Sequence, residues 1–156
     1  MKSFKNLASL VVAVLLAQGA YAKDKSPKKE SEALKTVQTM FGAFSKGDVE
    51  GMKKTVSQDT VWSYAGPKSV PYTGVYKGPD GVAQFVQNIG ANVDIQDFQV
   101  REFITQGNTV VVLGSEKQKI KKNGEVLEQN WVQVYKVKKG LIISMDEYAD
   151  TAHSSS

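Results

Sequence analysis

The chain has 156 residues, enough for one domain, and its 41% hydrophobic and 23% charged content is that of a globular protein. It contains no cysteine, which excludes disulfides, thiol catalysis and thiolate metal sites and leaves stability to a packed core. The formal charge is +4, falling to +2 without Lys2 and Lys5; with Arg101 the sole arginine and no nucleic-acid motif, the lysine clusters read as solvated strand edges.

Lys2 and Lys5 precede an apolar run over residues 7–17, and Ala20-Tyr21-Ala22 offers small residues where a signal peptidase reads. This pattern predicts a signal peptide over 1–22, hence export to the periplasm or medium with no membrane span after cleavage. The run is shorter than the roughly 20 apolar residues of a bilayer span. Residues 23–31 are basic and polar and read as a linker. A globular domain is expected over 32–150, and a flexible polar tail over 151–156.

The domain begins with a helical stripe, Ala33, Leu34, Val37, Met40, Phe41 and Phe44. Gly47 ends that helix and Asp48 caps a short second one carrying Met52. A strand is expected over 59–64, with Thr60, Trp62 and Tyr64 on one face. Residues 65–78 hold five breakers, Gly66, Pro67, Pro71, Gly74 and Gly78, and are expected to form an irregular segment in which Tyr72 and Tyr76 serve as lid residues. Pro79 opens a third helix, bearing Val82, Phe85, Val86 and Ile89, that Gly90 should stop.

From Val93 the pattern is strand and hairpin, with turns at Gly107, at Asn123-Gly124 and at Lys139-Gly140. In the last hairpin Trp131, Gln133, Tyr135 and Val137 share one face, and Ile143, Met145 and Glu147 are expected to share the facing one. Helices followed by long antiparallel strands argue an α+β fold. Val132 and Val134, like Val111 and Leu113, make the other strand face apolar too. A helix-covered sheet needs only one apolar face, so a second layer is expected, most simply a second copy of the chain.

The chain resembles the SnoaL-like, ketosteroid-isomerase-related branch of the NTF2-like superfamily. The resemblance rests on Phe44-x2-Gly47-Asp48, Asp59-Thr60-Val61-Trp62, Pro71-Tyr72-x-Gly74-x-Tyr76-x-Gly78, Gly81-Val82-x2-Phe85, and Trp131-Val132 through to Glu147-Tyr148-x-Asp150-Thr151. It implies a conical curved sheet, about three N-terminal helices closing its pocket, and a homodimer through the convex face. In related cyclases a carboxylate on the last strand and a histidine on the strand before it do the acid–base work. Glu147 matches the carboxylate, but Gln133 stands at the histidine position, and an amide cannot exchange protons near neutral pH. No cofactor is implied.

Glu147 is thus the candidate catalytic group, with Glu102 and Glu116 as carboxylates that adjacent strands could bring beside it. Trp62, Tyr64, Tyr72, Tyr76, Trp131, Gln133 and Tyr135 are the candidate ligand-binding set. The only histidine, His153, lies in the tail, which leaves no multi-histidine metal site and argues against a Ser-His-Asp arrangement. Three functions follow: a binding protein for a small apolar or aromatic molecule, a cofactor-independent isomerase, cyclase or hydratase using Glu147, or a dimeric interaction module without a ligand. Gln133 in place of histidine favours the first.

Overall fold

The computed structural model describes residues 31–150; the expected signal peptide, most of the expected linker and the tail with His153 lie outside them. Three helices and six strands follow in the order α1 (Glu32–Ser45), α2 (Val49–Lys53), β1 (Val56–Ala65), β2 (Gly74–Lys77), α3 (Gly78–Asn92), β3 (Val93–Gln106), β4 (Thr109–Ile120), β5 (Val126–Lys138) and β6 (Leu141–Ala149).

Local chemistry sets the helix ends. The Ser31 hydroxyl accepts from the Leu34 amide at 3.1 Å and caps α1. At its other end the Asp48 and Gly47 amides reach back to the Ala43 and Phe44 carbonyls, both at 2.9 Å, a Schellman closure. Asp48 then caps α2 through Gly51. Helix α3 does not stop at Gly90 as expected but runs to Asn92 and passes directly into β3. A single glycine costs a helix only about 1 kcal/mol, which neighbouring turns absorb.

The sheet order is β2-β1-β6-β5-β4-β3, with β1 and β6 parallel and every other pair antiparallel. The two ends of this bent sheet, β2 and β3, do not pair, so it stays open. Its concave face and the three helices enclose the core, in which Val37, Phe41, Val82, Phe85, Trp131 and Tyr135 are buried.

Two expectations change here. The irregular segment 65–78 contains the edge strand β2, paired to β1 from Val61↔Lys77 to Tyr64↔Gly74. Ile143 does not join Met145 and Glu147: the ladder passes from Lys136↔Ser144 to Val137↔Ile142, leaving Ile143 as the extra residue of a bulge. Ile142 is therefore buried and Ile143 is exposed.

Candidate functional site

Strand β5 carries the site. Its buried positions alternate through Leu127, Gln129, Trp131, Gln133, Tyr135 and Val137. The ladder sets Gln133 opposite Glu147 on β6 and opposite Val112 on β4, and Gln129 opposite Glu116 on β4. Glu147 is itself paired with Tyr64 on β1. Helix side chains Met40, Phe41, Phe44, Met52, Phe85 and Ile89 cover this face without filling it. A cavity of about 40 Å³ remains, room for roughly three waters. The unbranched Met40 and Met52 can re-fit around a larger guest.

Of the eight residues singled out in the sequence, five border the cavity: Trp62, Tyr72, Gln133, Tyr135 and Glu147. Trp131, Tyr64 and Tyr76 stand behind its wall. The Trp131 ring stacks on Phe41 and on Phe98, at 6.3 and 5.1 Å, the two phenylalanines themselves 6.4 Å apart, and Tyr64 packs edge-on against Tyr72 at 4.9 Å. Neither Tyr72 nor Tyr76 belongs to a free lid. Gln118 donates to the Tyr72 hydroxyl at 2.5 Å, and the Tyr76 hydroxyl donates to the Tyr72 carbonyl at 2.9 Å while accepting from Asn88 at 3.1 Å. The chain between β1 and β2 is a fixed part of the wall.

The cavity also holds polar residues that were open questions or were missed. Glu116 lies on it with Glu147, whereas Glu102 is exposed. Gln118 was not foreseen. The signal for both was the parity of β4, whose inward positions run Val110, Val112, Gly114, Glu116, Gln118.

Burial first, and then the charge of Glu116, hold the Glu147 carboxyl well above its ordinary range; the Gln133 amide opposes this by favouring the carboxylate. Glu116 is raised by burial too, against the Gln129 amide that donates to it. The two therefore titrate as a pair that retains a proton near neutral pH. The Tyr135 hydroxyl donates to Gln133 Oε1 at 2.5 Å, which leaves the Gln133 NH2 end as the one available to Glu147. Burial also pushes the phenols of Tyr64, Tyr72 and Tyr135 upward, so they remain protonated donors. The Tyr64 hydroxyl lies near Gln129 and Tyr72 but completes no hydrogen bond of normal geometry. Among the described residues no three His, Cys, Asp or Glu side chains gather as a metal-ligand set.

The sequence profile of the SnoaL-like domain matches residues 37–145. The chain belongs to the SnoaL-like domain family. No curated protein matches it in sequence. Among solved structures, an NTF2-like protein from Burkholderia xenovorans shares 29% identity, covers 78% of this chain and 91% of its own, and superposes with a TM-score of 0.71. An NTF2-like protein of unknown function from Burkholderia pseudomallei shares 25% over 80% and 95% of the two chains, with a TM-score of 0.67. TerC, co-crystallised with polyporic acid, is 22% identical over 80% and 95%, also at 0.67. The α+β cone inferred from the sequence is thus the fold of this SnoaL-like protein.

Proposed function

We propose that this SnoaL-like protein binds a small, mainly apolar or aromatic molecule inside its cone. One observation carries this reading: a cavity walled by aromatic rings, with two carboxyls and two amides on its lining. Such an apolar enclosure with a few convergent polar groups is what small-molecule sites offer. The co-crystallisation of TerC with polyporic acid is an instance of ligand binding on this fold. Native mass spectrometry of protein purified from its own host tests it. A co-purifying small molecule, lost when Tyr135→Ala or Glu147→Ala opens the site, is the expected result; no bound mass in any preparation counts against it.

A second reading, cofactor-independent proton transfer of the isomerase, cyclase or hydratase type, is favoured by Glu116 and Glu147 lining one cavity. A pair that keeps one proton near neutral pH offers a base and an acid together. Turnover of a substrate found by screening should fall at least 100-fold in Glu147→Gln. Equal rates in the variant and the parent would sink it.

The proposal extends to setting. The basic start, apolar run and Ala20-Tyr21-Ala22 support export. The outward face of the sheet, where Ile104 and Tyr148 are exposed, supports a homodimer.

A further inference from the structure

Six aromatic side chains that border the cavity form one continuous chain of ring contacts. Ring centroids run from Phe98 to Phe41 at 6.4 Å, on to Tyr135 at 6.1 Å and Trp62 at 5.9 Å, then to Phe85 and to Tyr72 at 6.0 Å each. The face of each ring carries negative charge density, so a space walled by rings attracts a cation. The ionisable groups on the same lining add to that field. Glu116 enters from β4 and Glu147 from β6, and no lysine, arginine or histidine balances them there. The remaining titratable groups, the Tyr72 and Tyr135 phenols, stay protonated, as does Tyr64 behind the wall.

The donors around the cavity are already committed within its wall. Gln118 donates to Tyr72, Gln129 to Glu116, and the Tyr135 hydroxyl to Gln133. The Gln133 amide is the donor left to the Glu147 carboxyl, which has two oxygens and about four acceptor sites. Glu147 is 5% exposed, so bulk water does not make up the difference. An anionic ligand would meet two acids without a counter-charge. An uncharged carbonyl would bring one more acceptor to a lining already rich in them. An ammonium brings three donors and the charge that carboxylates and ring faces both attract, and charge-assisted hydrogen bonds are roughly twice as strong as neutral ones.

Resting on the pocket reading above, we infer that the cavity takes a compact organic cation, a primary ammonium on a small apolar or aromatic body, held by Glu147 and Glu116 among the rings. The cation has a consequence for protons. The two acids retain a proton near neutral pH, and an ammonium close to them favours its loss. Binding therefore releases a proton and weakens as the pH falls. Calorimetry with four probes of one shape tests this: benzylamine, a cation from about pH 6 to about pH 8, benzyl alcohol, toluene and benzoate. At about pH 8 benzylammonium is expected to bind at least about tenfold tighter than each of the other three. Its affinity should fall about tenfold by about pH 6, and its binding heat should differ between phosphate and Tris buffers as the released proton is taken up. Glu147→Gln keeps the shape, removes the charge and should bring benzylammonium down to the level of benzyl alcohol. The wild-type pH series decides the matter even where that variant folds poorly. Any of the other three probes binding as tightly as benzylammonium at about pH 8, or benzylammonium affinity that does not fall with acid, overturns the inference and leaves the pocket reading standing. Failure of all four probes to bind overturns both.

Discussion

Gly114 is the residue on which the aromatic wall most directly depends. A Cβ there would lie 2.0 Å from Cζ2 of Trp131 and 2.4 Å from the Gln99 carbonyl oxygen. The indole cannot swing away, because Phe41 and Phe98 stack on it. Gly114→Ala should destabilise the protein by about 3 kcal/mol, at the upper end for overpacking, as a lowered urea midpoint with an unchanged slope. Glu147 sets a different signature. Its carboxyl rises from 4.5 to about 8 on folding, chiefly through burial, and that of Glu116 rises to about 7. Between these limits the folded chain binds more protons than the unfolded one, so stability falls as pH rises through the window and levels off above it. Glu147→Gln removes an ionisable group that burial disfavours. It should flatten the decline in melting temperature between about pH 5 and pH 8 and leave the variant more stable than the parent at pH 8. A melting profile as steep in the variant would contradict the burial of this carboxyl. Glu147 stood out in the sequence because it sits among apolar residues at strand parity. Glu116 was visible only as one of two rivals: the parity of β4 sets it inward, but Glu102 is turned out by the irregularity of β3 between Val100 and Glu102, which shows only in the pairing with β4.

At the scale of elements, the connection from β1 to β2 shows where local signals stop. Its glycines and prolines read as an irregular segment, yet β2 forms because β1 offers it an edge, a partner 10 to 16 residues away in the chain. Likewise, Ile143 kept perfect alternation in sequence and lost it to a bulge that only the β5 register reveals. The helices were legible because their stripes and caps are local; only the end of α3 was misjudged. The chain just before β2 is tied across the cavity to β4 by Gln118 and the Tyr72 hydroxyl, both buried. Tyr72→Phe leaves the Gln118 amide without that acceptor and should cost about 1–2 kcal/mol. Adding Gln118→Leu removes the stranded amide and should recover most of the loss. A double-mutant cycle by denaturant melting measures this; strictly additive costs would show that the bond does not couple this segment to β4.

For the whole molecule, the outward sheet face is the feature that a single chain leaves unexplained. The register aligns Ile104, Val111 and Val134 in one row across β3, β4 and β5, and Leu113, Val132 and Tyr148 in the next across β4, β5 and β6. Ile104 is 47% and Tyr148 56% exposed, while the four aliphatic residues between them are half-buried. A sheet needs no apolar outer face when helices already cover the inner one. The same two rows on a second copy supply a matching apolar surface about a two-fold axis. The proposed dimer should therefore sediment as a single species of twice the chain mass at micromolar concentration. Val134→Asp places a charge in the middle of the patch, opposite Val111 and beside Asp146, and should yield monomers that keep the native far-ultraviolet dichroism. Because the cavity lies on the opposite face of the sheet, such a monomer should still bind the pocket's ligand. A parent protein that is monomeric at 100 micromolar would exclude the dimer and leave this face to another partner.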